Sequence, residues 1–495
     1  MPPFCVLLLL GSLFACGVAY PNIPLRVLQQ QLQADALEHL PGIVFRVNPN
    51  IDSVINDEKT RHYLAKSLKT TAFDNFSFKV LQMNLSIDNL GIEHVDISDI
   101  RVTPISRHSY KISIESSSVH IAGSYRGIYR TIREGNVNAD LTGISVTATV
   151  SLPLTAKKTD SVSILDCSTN IDDAKVAFEP ALIEQANEKL AQLLRTYVEG
   201  RICAGIDVFF RGDKLAGILH VMPLTLKTDT MKTKMNSGLV LRPVIDDGSL
   251  FVALDGSFGD GVDRERVQIE KMDTDANIYA YMSDFVLNSY LRERTHEKKL
   301  KLKLNPAFTS LLATNCEEDG NCIGSFIDSR TFAEDYNSPE VIVAFGTPPK
   351  VDFTEAGARL TLNVTAELSY NEITERKNVL SVSTILTVLI KKFDLSVENR
   401  ETELQLDLDL EKMDLLGVNV NMPVADGSIF GEVVEKVLVM ENKAVIEDLI
   451  MTNIPRLMPV YMSNKLHVNA IRGFFRPNTL VLSANVTPKT LKYFL

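Results

Sequence analysis

The chain has 495 residues, 45% of them hydrophobic and 23% charged, and a formal net charge of −11. That is ordinary globular composition with ample apolar material for large cores, and the length sets an expectation of two domains. An acidic chain is repelled by polyanions, which argues against nucleic acid as a partner.

In chain order, MPPFCVLLLLGSLFACGVAY opens with an uncharged run from Phe4 to Ala19, too short to span a bilayer comfortably. Gly17-Val18-Ala19 is a small-x-small site, so residues 1–19 read as a signal peptide cleaved after Ala19, although no Lys or Arg precedes the apolar run. A secreted, soluble, extracellular protein is expected. PGIVFRVNP (41–49) leads into NPNIDSVINDEKTRHYLAKSLK (48–69). The latter is an expected amphipathic helix, with Asn50 as N-cap and Ile51, Val54, Ile55, Leu64 and Leu68 as its apolar stripe.

Residues 76–165 carry period-two stretches such as YKISI (110–114) and VTATVSL (146–152), which predict strands. Among them, GSYRGIYRTIREG (123–135) reads as a hairpin holding Arg126, Arg130 and Arg133. As a continuous strand it would place Arg126 and Arg130 on a face with Ile128 and Ile132, and Arg133 on the other with Tyr125 and Tyr129; a turn near Gly127 would change that. FEPALIEQANEKLAQLLRTYVEGRIC (178–203) then switches to helical period, with Leu182, Ile183, Ala186, Leu190, Leu193, Leu194, Tyr197 and Ile202 on one face. Residues 20–237 hold 24 basic and 24 acidic side chains, which leaves 27 basic against 38 acidic beyond them. All of the net charge sits in the second half.

Residues 238–276, rich in Gly and Asp, read as a linker or extended crossover. Residues 277–495 repeat the earlier order. A helix is expected at AYMSDFVLNSYLRERTHEK (280–298), then strands at RLTLNVTAELSY (359–370), VLSVSTILTVLI (379–390) and ETELQLDLDLE (401–411). In the last, Leu404, Leu406, Leu408 and Leu410 alternate with Glu403, Gln405, Asp407 and Asp409, giving one apolar and one acidic face. A long helix follows at GEVVEKVLVMENKAVIEDLIM (431–451), kinked or ended by Pro455 and Pro459, and a closing strand at TLVLSANV (479–486).

Cys5 and Cys16 leave with the signal peptide, so four of six cysteines remain in an oxidising compartment. Four allow three pairings. Cys316 and Cys322, in the polar loop CEEDGNC, are spaced to close a small ring, which would leave Cys167 and Cys203. Sequons stand at Asn75, Asn84, Asn363 and Asn485, compatible with a secreted glycoprotein. Catalytic patterns fail. There is no GxSxG or GxxxxGK[ST], and HExxH lacks its second His after His296-Glu297. In DGSFGDGVDRER (255–266), Asp260 and Arg266 occupy the positions where a calcium loop needs Gly and Glu. No metal, no cofactor and no enzymatic activity are expected.

PGIVFRVNP, the IAG-hairpin-GNVNADLTGISVTATVSL order (121–152), ILDCS (164–168), EGRIC (199–203), MSDFVLNSYL (282–291), MDLLGVNVNMPV (413–424) and IPRLMPVYMSNKL (454–466) together resemble the bactericidal/permeability-increasing protein family, which includes lipopolysaccharide-binding and lipid transfer proteins. The resemblance covers essentially the whole mature chain. It implies an α+β fold, a two-domain boomerang of twisted antiparallel β-barrels. Each barrel wraps on a long helix, and a central antiparallel sheet joins the two. On that reading residues 20–237 and 277–495 are the two barrel domains, and 238–276 the linker or central-sheet crossover.

Cys167 and Cys203 match the family's shared disulfide. The resemblance implies a monomer whose halves hold phospholipid-like acyl chains in apolar pockets. The expected first pocket has Val54, Ile55, Leu64 and Leu68 facing Leu190, Leu193, Leu194 and Tyr197, while Arg126, Arg130 and Arg133 at the hairpin tip contact headgroups at a membrane or lipoprotein surface. Two other functions compete. Binding of lipopolysaccharide would need a more basic first half than this one, and a recognition protein would keep the fold without mobile lipid.

Overall fold

The computed structural model describes residues 40–49, 56–69, 73–129, 131–151, 163–211, 224–227, 232–236, 240–241, 243–246, 248–259, 267, 269, 276–295, 299–314, 322, 339–371, 376–398, 401–420, 443–457 and 470–485. In the first half, strands β2 (Phe76–Val80), β3 (Met83–Ser106), β4 (Ser109–Tyr129), β5 (Thr131–Ser151) and β6 (Ser163–Glu179) form a five-stranded antiparallel meander in chain order. Alternation builds it. The buried set on β5 is Val137, Ala139 and Leu141, then Ile144, Val146, Ala148 and Val150. The switch of parity falls at Gly143, whose φ of +63° is open to glycine. The Asp172 side chain fills the space where a Cβ on Gly143 would go. Helices α1 (Glu58–Leu68) and α2 (Glu184–Arg211) close the apolar side, contributing Ala65 from α1 and Ala186, Leu190, Leu194 and Val198 from α2 to one core with the strands.

A larger, eleven-stranded sheet carries the centre and the second half. Its path runs β12 (Lys299–Lys301), β13 (Pro339–Thr354), β14 (Gly357–Asn371), β15 (Arg376–Glu398), β17 (Ala470–Arg476), β18 (Thr479–Ala484), β11 (Ile278–Ser283), β1 (Ile43–Val47), β10 (Ser249–Leu254) and β9 (Val244–Asp246), with β16 (Glu401–Val420) paired to β15. Strand β1, from the first half, lies between β10 and β11. Its pleat serves three cores: Ile43 and Phe45 pack into the second half, Val47 into the first, and Val44 into a third cluster with Phe251, Tyr279, Tyr281 and Val481. The central antiparallel sheet expected from the resemblance is therefore present, with strands from both halves. Helices α3 (Asp284–Thr295), α4 (Pro306–Leu311) and α5 (Lys443–Leu457) belong to the second half, and β7 (Leu224–Lys227) pairs β8 (Lys232–Met235) as a separate ribbon.

Several sequence expectations shift. The segment 178–203 is not helical from its start. Phe178 and Glu179 complete β6, Pro180 cannot extend the ladder, and helix begins at Glu184 and runs to Arg211. Ala280 to Ser283 are strand rather than helix, because Tyr279, Tyr281 and Ser283 alternate inward before Asp284 opens α3. Pro455 does not end α5; it sits in the last turn and the helix continues to Leu457. The stretch read as linker or central-sheet crossover contributes β9 and β10 to that sheet, in keeping with the second alternative, and Ile245 N donates to Arg107 O (2.9 Å), tying the sheet to the β3–β4 turn. Asn50 and residues 431–442 lie outside the described residues.

Candidate functional site

The two helices of the expected first pocket divide unequally. Val54 and Ile55 lie outside the described residues, and Leu64 and Leu68 are on α1 with side chains that are not described. On α2, Leu190 and Leu194 are completely buried and cluster with the sheet residues of the first core. Leu193 is half-buried. Tyr197 leaves the helix sideways, its ring 5.6 Å from Phe76 and 6.1 Å from Phe73, and its hydroxyl accepts from Asp74 N. Cys167 on β6 is bonded to Cys203 on α2, with Cα atoms 5.7 Å apart, which staples the helix to the sheet it covers. Cys322 is also disulfide-bonded and buried, and Cys316 lies outside the described residues.

The second half holds a cavity of about 190 Å³ that sequence patterning does not reveal. Strand registers lay out its floor in rows: Val341, Leu368 and Leu380; Val343, Ala366 and Val382; Phe345, Val364 and Thr384; Leu362, Leu386 and Met413. Leu300 and Leu302 from β12, Phe308 from α4, and Ile446, Leu449 and Ile450 from α5 complete the walls. Among the described residues only Thr384 and Asn453 bring polar side chains, and both are engaged with backbone. Thr384 Oγ1 donates to Asp414 O (3.0 Å). Asn453 Nδ2 donates to Lys303 O and Leu449 O, and its Oδ1 accepts from Lys303 N (2.9 Å). Asn305 caps α4 by accepting from Phe308 N (2.6 Å), and its amide donates to Asp448 of α5, so α4 and α5 cover the floor together. Beside this wall the Tyr370 hydroxyl donates to Leu312 O, and burial raises its pKa above the usual tyrosine range. The surface that the described residues offer inside is hydrocarbon, suited to sequestering apolar groups.

At the far end of the first half, β4 and β5 stay paired through Gly127 to Tyr129 and Thr131, so the chain does not turn near Gly127, and Arg130 lies outside the described residues. Ile128 pairs with Ile132, and Arg126 with Glu134 at 3.1 Å. Arg133 pairs with Gly127 in the register, and no carboxylate is bonded to it among the described residues. It lines an open cavity of about 730 Å³ with Leu81, Met83, Leu182 and Ile183. The structure thus separates Arg126, which is paired with Glu134, from Arg133, and it exposes three large apolar side chains at this end: Leu81, Ile128 and Ile132 are 74%, 52% and 58% exposed. The alternation of isoleucines with arginines in the sequence was the available signal for that edge. Among the sequons, Asn75, Asn84 and Asn485 are exposed and Asn363 is half-buried. Among the described residues no group of three His, Cys, Asp or Glu side chains is placed to hold a metal ion.

The family model "LBP / BPI / CETP family, N-terminal domain" matches residues 51–214, and the corresponding C-terminal domain model matches 262–486. Among solved structures, lipopolysaccharide binding protein is 15% identical with a TM-score of 0.50, covering 90% of this chain and 99% of that one, a likeness of fold alone. P47 of Clostridium botulinum E1 (11% identical, TM-score 0.24, 91% of this chain and 100% of that one) and Epiphyas postvittana Takeout 1 (13%, 0.18, 33% and 79%) are looser likenesses that carry no weight. No curated protein matches the chain by sequence. With both domain models matched in order, this chain belongs to the LBP / BPI / CETP family.

Proposed function

We propose that the protein is a secreted, non-enzymatic lipid carrier that binds or transfers phospholipid-like molecules by taking acyl chains into its apolar interior. The observation that carries this is the hydrocarbon-walled cavity of the second half, in which the two polar side chains among the described residues are already bonded to backbone. Each methylene moved from water into such a space is worth about 0.8 kcal/mol, so affinity needs no covalent chemistry. The exposed Ile128 and Ile132 at the strand ends, and the exposed Leu81 that lines a cavity with Arg133, support a contact with a membrane or lipoprotein surface during loading. Transfer of a pyrene-labelled phosphatidylcholine from donor to acceptor vesicles tests the reading. The protein is expected to accelerate transfer in proportion to its concentration; no uptake and no acceleration would reject it. Lipopolysaccharide is the second reading, favoured by the fold of lipopolysaccharide binding protein. It is ranked below because Glu134 neutralises one of the two described tip arginines.

A further inference from the structure

Resting on the reading of a secreted lipid carrier, we propose that Asn84 carries an N-linked glycan that covers the apolar end of the first sheet and so governs its contact with a lipid surface.

Strand register sets the geometry. Asn84-Leu85-Ser86 is an acceptor sequon at the start of β3. Its middle residue, Leu85, is fully buried, so on an alternating strand Asn84 and Ser86 point to the opposite, outer face. Asn84 pairs with Lys79 of β2 on one side and with Ile128 of β4 on the other, and Ile128 pairs with Ile132 of β5. Side chains that pair in this way stand about 5 Å apart. Both isoleucines are more than half exposed. The next row holds Ser86, Arg126 and Glu134, and the Arg126–Glu134 ion pair borders the isoleucines on that side.

Asn84 has no visible structural task. Asparagine is depleted in strands, where its amide competes for backbone bonds. Among the described residues the Asn84 side chain makes no hydrogen bond that would offset this. The other sequons differ. Asn75 Oδ1 accepts from Asn89 N (3.2 Å) and Asn485 Oδ1 accepts from Asn277 N (2.9 Å), so both hold neighbouring backbone. Asn363 is half-buried on β14, between β13 and β15, with its amide against Gly346.

The chemistry of a sugar suits the place. A pyranose ring is polar at its rim and carries C–H groups on its faces. Attached at Asn84 Nδ2, the first sugars lie over Ile128 and then Ile132, taking hydrocarbon out of water while their hydroxyls stay solvated. An exposed apolar patch calls for a cover or a partner, and this one has the attachment point of a cover one strand away. A bulky, solvated glycan and a bilayer cannot occupy that face together. The glycan is therefore a mask. With it, lipid contact is left to the side where Leu81 lines the open cavity with Arg133; without it, the isoleucine pair joins the contact.

The test uses the full-length protein secreted from animal cells. Glycopeptide mass spectrometry reads occupancy at Asn84, and flotation with neutral phosphatidylcholine vesicles reads binding. Most secreted molecules should carry a glycan at Asn84. Asn84→Gln and Ser86→Ala remove the sequon from its two ends, and both should bind vesicles about tenfold more tightly than wild type, the least that burying two half-exposed isoleucines should give. Adding Ile128→Ser and Ile132→Ser to Asn84→Gln should cancel the gain. Where a sequon variant fails to fold, removing the glycan from folded wild type with a peptide-N-glycosidase should give the same gain. An unmodified Asn84 in the secreted protein overturns the inference, as does unchanged binding once the glycan is gone, or a gain that survives loss of both isoleucines; each of these leaves the carrier reading standing. Retention of wild type inside the cell removes the secreted reading, and absence of vesicle binding by every form removes the surface contact in that reading, and either takes the inference with it.

Discussion

Leu190 is fully buried on the face of α2 that packs on the first sheet, where sequence alone left open whether it lines a lipid pocket or a packed core. Leu190→Ala decides between them. Three carbons are removed, worth about 0.8 kcal/mol each on transfer, or about 2.4 kcal/mol. The space left behind adds about 1–2 kcal/mol where the backbone cannot collapse, as expected for a helix stapled by a disulfide. The expected loss is about 3–4 kcal/mol from the first half. Urea unfolding followed by far-UV circular dichroism and by tyrosine fluorescence is the assay, the chain having 13 tyrosines and no tryptophan. The half-buried neighbour Leu193→Ala is the control and should cost less than half as much. A loss below about 1 kcal/mol for Leu190→Ala, accompanied by a changed lipid affinity, would show that Leu190 lines a filled pocket and would refute the core assignment.

Other outcomes follow from the same structure. Cys203→Ser opens a loop of sequence separation 36 and should lower the stability of the first half by about 3–4 kcal/mol on the chain-entropy model, read in the same urea experiment. Gly143→Ala places a Cβ against Asp172 at a left-handed φ and should cost at least about 1 kcal/mol, with a lowered thermal midpoint. Burial pushes the Tyr290 hydroxyl up to about 12, against the opposing effect of Arg294, and pushes Tyr370 higher. The folded state then keeps protons that the unfolded chain loses near pH 10, so this stability is complete below pH 10 and declines as pH rises toward 12. Denaturation midpoints measured across that range should fall, and fall less in Tyr290→Phe/Tyr370→Phe; an unchanged slope in the double variant would contradict the assignment.

Period-two patterning made the long strands of both halves legible before any coordinates, because each sheet has one apolar face and register errors would expose it. It could not place a cavity, since packed core and cavity wall share composition; which residues line it together, such as Ala366 between Val343 and Val382, is a cross-strand fact. The start of α2 is obscured for a local reason: Phe178 fits both a helical stripe and the last inward position of β6, and only the pairing of Val137 with Phe178 distinguishes them. The strand before α3 is hidden likewise, its alternating Tyr279 and Tyr281 too short a run to stand out beside a helix. The hairpin tip is legible in composition but not in pairing, because the position of the turn decides whether Arg126 faces Glu134.

The most direct measurement is mass spectrometry of lipids extracted from the secreted full-length protein, wild type against Ala366→Phe. Wild type should release stoichiometric lipid, and the filled variant should release less while unfolding at the same urea concentration. A wild-type protein that carries no lipid, or a variant that carries as much, would contradict the assignment of this cavity as the seat of lipid binding.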